Sequence, residues 1–147
     1  IMRMLLGEEK LLVNCLDVCG CTPLRHAVNS GNLSILQLML QDKRLDVTIG
    51  EPGGETLLHI AAKYGYKEVV ELLLDDGRFD PNMSDDLKNW TPLHRAVYSG
   101  NEAIVDLFLS DERVDINCRS NNGQTPLHLA AAGGQSGIFQ HLFAHED

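Results

Sequence analysis

Long apolar runs are missing from this chain. None approaches the ~18 residues of a membrane-spanning helix, so no segment is expected to cross a bilayer in that form. The start, IMRMLLGEEK, is too short and too polar for a secretory signal and carries no lipidation motif. Positive charge is also in short supply. Twelve Lys and Arg stand against 21 Asp and Glu, a formal net charge of −9. That balance argues against nucleic-acid phosphates and anionic lipid as partners. Cysteine is too sparse and too unevenly placed for a disulfide framework, with Cys15, Cys19 and Cys21 bunched and Cys118 alone. Reduced thiols in a cytoplasmic or nuclear compartment are the expectation. What remains is one soluble domain of 147 residues, large enough to bury roughly 68–70% of its unfolded surface.

Internal repetition organises that domain. Thr91-Pro92-Leu93-His94 recurs as Thr125-Pro126-Leu127-His128, and less perfectly as Thr56-Leu57-Leu58-His59 and Thr22-Pro23-Leu24-Arg25. The four threonines are spaced by 34, 35 and 34 residues. An alanine follows in step (Ala27, Ala61, Ala96, Ala130), then a glycine (Gly31, Gly65, Gly100, Gly134), then an apolar run such as EVVELLL or AIVDLFL. Each unit reads as helix, turn, helix and connecting loop. Thr suits an N-cap, and Pro suits the first helical position, where the missing N–H costs nothing. The glycine stops a first helix of about two turns. The second helix carries apolar residues at spacings of three and four, as at Val69, Val70, Leu73 and Leu74. One such unit cannot bury its apolar face alone, but a stack of them can.

The period, the Thr-Pro-Leu-His-x-Ala signature and the helix–turn–helix reading resemble the ankyrin repeat. The resemblance covers essentially the whole chain and implies an all-α solenoid of helix–turn–helix repeats joined by β-hairpin-like finger loops. The expected boundaries are 1–16 for the C-terminal half of an upstream repeat, then 17–50, 51–85, 86–119 and 120–147 for four repeats. An apolar entry (Ile1, Met2, Met4, Leu5, Leu6) suggests a piece of a longer array, since terminal repeats ordinarily turn a polar face outward. Departures from the family pattern are local. The finger ending at Trp90 has one extra residue, with Asn89 where Gly is usual, and Asn tolerates left-handed backbone better than most residues. Leu57 replaces Pro and Arg25 replaces His, which should loosen the first turn of those units without changing the fold.

Candidates for chemistry dissolve into the repeat. His59, His94 and His128 hold one equivalent slot, and a catalyst has no need of three copies. They are expected to tie their own helix starts, at Thr56, Thr91 and Thr125, to neighbouring loop backbone, with Thr22 as the capping residue of the first unit. Cys15, Cys19, Cys21 and His26 do not match a zinc spacing. Asp75-Asp76 and Asp85-Asp86 lack the rest of a calcium loop, and GEPGGET (Gly50–Thr56) lacks the Lys-Ser/Thr ending of a phosphate loop. No catalytic residue, cofactor or metal is expected.

The resemblance implies that a partner protein binds the concave surface made by finger tips and short first helices. Carried over by position, that surface includes Glu55, Leu87, Lys88, Trp90 and Gln124 on the fingers, and Lys63, Tyr64, Tyr98 and Ser99 at the helix ends. These slots hold the one Trp and two of the three Tyr, the residue types most enriched at interface hot spots. For Trp90 a second reading stands beside partner contact, a ring lying over a neighbouring finger. Recognition is expected to centre on Tyr64, Trp90 and Tyr98, with Lys63, Lys88 and Glu55 setting charge complementarity. Two further readings are open. The array could be the targeting arm of a larger enzyme or pathogen effector. The hairpin asparagines Asn14, Asn82 and Asn117 also occupy the slot that is hydroxylated in some members of the family. The isolated chain is expected to be monomeric.

Overall fold

A computed structural model describes residues 12–145. The half-unit expected at 1–16 therefore lies, over residues 1–11, outside the described residues. The chain forms four helix pairs: α1 (Pro23–Asn29) with α2 (Leu33–Leu40), α3 (Leu57–Tyr64) with α4 (Lys67–Asp76), α5 (Pro92–Ser99) with α6 (Glu102–Ser110), and α7 (Pro126–Ala132) with α8 (Ser136–Ala144). No strand forms among the described residues.

Local chemistry sets the helix ends. Thr22, Thr56, Thr91 and Thr125 precede α1, α3, α5 and α7 in extended backbone, and Pro opens three of those helices. The Thr22 hydroxyl accepts from the Arg25 N–H at 3.1 Å, so replacing His by Arg leaves this cap in place. At the other end, α3 and α5 stop at Gly65 and Gly100, with φ of 77° and 74°, a conformation in which any side chain is strained.

The odd-numbered helices form an inner row and the even-numbered helices an outer row. Inner helices pack on one another more closely than outer helices do, so the stack bends toward the inner row. Alanine makes this possible. Ala27, Ala61, Ala96 and Ala130 are all buried, and a larger side chain there would push neighbouring inner helices apart. Between the rows runs one continuous aliphatic core, including Val28, Leu36, Leu58, Leu73, Leu93, Val97, Val105, Phe108 and Leu142. Each such side chain contributes roughly 1.5–3 kcal/mol by leaving water.

Loops between units project as fingers. In three of them a backbone bond closes the base: Asp17 N–H to Cys21 O, Asp85 N–H to Trp90 O, and Ser120 N–H to Gln124 O, at 3.0, 2.8 and 2.9 Å. The third finger's extra residue is accommodated at Asn89, the one non-glycine residue of positive φ (56°) among those described. The second finger instead folds into a short 3₁₀ turn at Pro52–Gly54. Adjacent fingers are bonded as well, Asp86 N–H to Gly53 O and Asn121 N–H to Lys88 O, both at 2.9 Å.

Candidate functional site

Both ring nitrogens of His59 are engaged. The Thr56 N–H donates to Nδ1 at 3.1 Å, and Nε2 lies 2.7 Å from the carbonyl oxygen of Trp90 on the next finger. An N–H can only donate and a carbonyl can only accept, so the proton must sit on Nε2. His94 repeats the arrangement, with Thr91 N–H at 3.2 Å and the Gln124 carbonyl at 3.0 Å. Both imidazoles are fully buried. Burial holds each below the ordinary histidine range, so both are neutral at physiological pH. His128 keeps the local half of the arrangement, accepting from Thr125 N–H at 3.2 Å, and is otherwise exposed. His59 and His94 bind their units to the next finger, with both ring nitrogens of each engaged.

At the first junction Arg25 occupies the histidine slot, and the tie becomes ionic. Its guanidinium lies 3.7 Å from Glu51 and 3.3 Å from Glu55, while Thr22 donates to Glu51 at 2.8 Å. Glu55 also faces Arg95 at 3.7 Å, and Arg95 pairs with Asp85 at 3.2 Å. The half-buried chain Arg25–Glu55–Arg95–Asp85 thus spans three units. This corrects the expectation for Glu55, whose carboxylate is neutralised within the molecule. Asp85 is buried, accepting from Lys88 N–H and Trp90 N–H at 2.8 and 3.3 Å, and so shapes the third finger.

Other side chains tie the units on their outer side. Asn82 accepts from Asp115 N–H at 2.7 Å and donates to Arg113 O at 2.6 Å; Asn14 does the same with Asp46 and Arg44, at 2.8 Å each. Asp42–Arg44, Asp76–Arg78 and Asp111–Arg113 are local ion pairs. Hydrogen bonds from the arginine hold each carboxyl below its usual range, down to about 2 for Asp42. Arg78 and Arg113 also donate to Leu40 O and Leu74 O, the open carbonyl ends of the preceding outer helices. The recurring Asp-x-Arg was the signal for this ladder in the sequence. The Glu55 network recurs nowhere, so repetition could not reveal it. Tyr66 donates to Asn29 O at 3.2 Å and is a further tie between units.

Of the residues carried over as partner contacts, Tyr64, Leu87 and Tyr98 stand 54%, 79% and 64% exposed. Lys63, Lys88 and Ser99 are exposed, and Gln124 is half-buried with its carbonyl committed to His94. Of the two readings of Trp90, partner contact and a packed ring, the structure has a packed ring, set against side chains of its own repeat. At 4% exposure it is part of the interior. Its ring packs on Tyr98 (centroids 5.1 Å apart) and lies parallel to His94, with Lys88 Nζ 4.2 Å and the Arg95 guanidinium 5.1 Å from its centroid. Trp90 is the platform that holds Lys88 and Tyr98 at the surface.

Cys118 lies 3.3 Å from Thr91 Oγ1 and 3.6 Å from His94 Nδ1, and burial pushes its thiol up, away from the reactive thiolate. Cys15 and Cys19 are exposed, and all four cysteines are unpaired. Among the described residues no three His, Cys, Asp or Glu side chains cluster as metal ligands would, and no helix is long and apolar enough to cross a membrane. A cleft of about 320 Å³ beneath the second finger is lined largely by Leu24, Val47, Ile49, Leu57, Phe79 and Met83. The Thr22 and Thr48 hydroxyls on its wall are hydrogen-bonded to the carboxylates of Glu51 and Asp46.

A family model described as ankyrin repeats (three copies) matches residues 1–85 and again 77–147. Comparison with curated proteins found no match.

Proposed function

Because the chain belongs to the ankyrin-repeat family, whose members are generally protein–protein interaction modules, we propose that it is a non-catalytic binding module whose inner surface receives a partner protein. The observation that supports this most directly is the exposure of Tyr64, Leu87 and Tyr98 beside Lys63 and Lys88, along the inner helix ends and fingers. Large rings held open to solvent on a rigid support lose little entropy on binding and offer much area. Trp90 and Glu55 serve that surface from behind, through the packing and ion pairs that position it. In this reading the repeats 17–50, 51–85, 86–119 and 120–147 act as one rigid support. The chain is monomeric when isolated and works in the cytoplasm or nucleus, where its four thiols stay reduced.

The test compares partners retained by the immobilised wild type, by a Tyr64→Ala/Leu87→Ala/Tyr98→Ala variant, and by an outer-helix Glu71→Ala/Glu102→Ala variant. A partner lost only from the inner-surface variant supports the proposal. Loss confined to the outer-helix variant would move the interface to the other side.

A further inference from the structure

The charge of this chain is divided between its two sides. The inner helices α1, α3, α5 and α7 contain no Asp or Glu. The outer helices α4 and α6 carry Glu68, Glu71, Asp75, Asp76, Glu102 and Asp106. Finger carboxylates are partly compensated in place: Glu51, Glu55 and Asp85 share the two guanidinium groups of Arg25 and Arg95, and Asp17 is hydrogen-bonded to His26 at 2.7 Å. Asp86, exposed beside Leu87, stands outside these pairs.

Two inner-side cations have no carboxylate partner among the described residues. Lys63 Nζ lies 5.4 Å from the Tyr64 ring centroid, and Lys88 Nζ lies 4.2 Å and 5.7 Å from those of Trp90 and Tyr98. An ammonium held against a ring has shed part of its water on that side and keeps N–H donors facing outward. Next to each are exposed apolar surfaces, Tyr64 for Lys63, and Leu87 with Tyr98 for Lys88.

We infer that the segment received on the inner surface is an acidic peptide in which carboxylates alternate with aromatic or aliphatic side chains. Its carboxylates pair with Lys63 and Lys88, and its apolar groups lie on Tyr64, Leu87 and Tyr98. The inference rests on the inner-surface reading above and adds the chemistry of the partner. It runs against the overall charge of −9, which taken alone would point to a basic partner. The outer side carries the net negative charge, and at physiological salt a Debye length of about 8 Å confines its influence largely to that side. Local complementarity then decides which partner fits.

Random peptides displayed on phage, selected against the immobilised full chain, test the inference. The expected selected peptides combine Asp or Glu with Phe, Tyr, Trp or Leu. As synthetic peptides they should bind Lys63→Glu/Lys88→Glu at least about tenfold more weakly than wild type. Lys63→Arg/Lys88→Arg should retain binding, and Leu87→Ala/Tyr98→Ala should lose it. These residues are exposed, so circular dichroism should show each variant folded. Peptides that need Leu87 and Tyr98 but lack acidic residues overturn the acidic partner and leave the inner surface standing. Basic peptides insensitive to all these variants, or no enrichment on folded protein, overturn both. Sedimentation of the free chain as a dimer that Lys88→Glu dissociates would assign the face to a second copy and overturn the peptide.

Discussion

His59 Nε2 and the carbonyl oxygen of Trp90 lie 2.7 Å apart, and this bond joins the first inner turn of one repeat to the base of the next finger. The same carbonyl accepts the Asp85 N–H at 2.8 Å, so one peptide oxygen both closes its own finger and receives the preceding unit. The bond needs the proton on Nε2, and the Thr56 N–H that donates to Nδ1 needs that nitrogen free, so the pair together requires a neutral imidazole. Stability therefore depends on pH through a buried group that joins two repeats.

That dependence has a definite sign. The folded pKa values of His59 and His94 are lowered by burial, whereas the unfolded histidine titrates near 6.5. Below about pH 6.5 the unfolded chain binds more protons, so stability is complete above that value and falls as the solution is acidified. Each histidine contributes a slope of up to about 1.4 kcal/mol per pH unit until its folded pKa is reached. Urea midpoints between pH 7.5 and 5.5 (roughly the span over which free histidine titrates) should fall in wild type and fall less steeply in His59→Gln. The paired carboxylates, whose folded pKa values are lowered, lose their contribution only at more acid pH. An equal slope in the two proteins would remove His59 from this account.

The histidine slot contains its own control. His94→Ala should cost about 2–4 kcal/mol, through a cavity, the lost tie to Gln124 and a Thr91 N–H left without its acceptor. His128→Ala should cost less than about 1 kcal/mol, because this exposed ring bonds only its own helix start. Chemical denaturation of the two variants reads the difference.

Asp85→Ala should destabilise by about 3 kcal/mol, since it strands two backbone N–H groups around a buried position and leaves Arg95 with Glu55 as its remaining carboxylate. Asp85→Asn retains an acceptor for Lys88 N–H and Trp90 N–H and should cost less. Hydrogen exchange at Lys88 and Trp90 should accelerate in the alanine variant and stay close to wild type in the asparagine variant.

Trp90 and Tyr98 touch one another and should nonetheless separate in experiment. Trp90→Ala empties an interior site and should lower stability by about 3–5 kcal/mol. Tyr98→Ala removes an exposed ring and should change stability by about 1 kcal/mol or less, while weakening partner binding. Thermal melts together with a binding titration distinguish them. A Trp90→Ala protein as stable as wild type would contradict the platform role.

How much of this was legible in the residues differs from site to site. Thr56, Pro92, Gly65 and Ala96 announce caps, stops and close helix packing because those preferences are set by backbone within a few residues. The recurrence of Thr, Gly and Ala in all four units, and of Pro in three, turns local signals into an architecture. The histidine tie was legible for the same reason, as three copies in one slot imply a structural duty. Asn89 was legible too, as an extra residue that requires left-handed backbone. The Glu55 network was not, because its arginines come from two other repeats and the arrangement occurs once; for Trp90 the residues left two readings open, and packing within its own unit decided between them.

The sequence by itself determined the helix–turn–helix period, the stacking of four units and the positions that line the inner side, since these follow from short-range backbone preference and repeated apolar spacing. Tertiary structure alone decided which inner-side residues are free. Arg25 reaches Glu55 across 30 residues, and Arg95 joins the same carboxylate from the third unit. Exposure and charge compensation are properties of assembled neighbours, and no local run of residues encodes them.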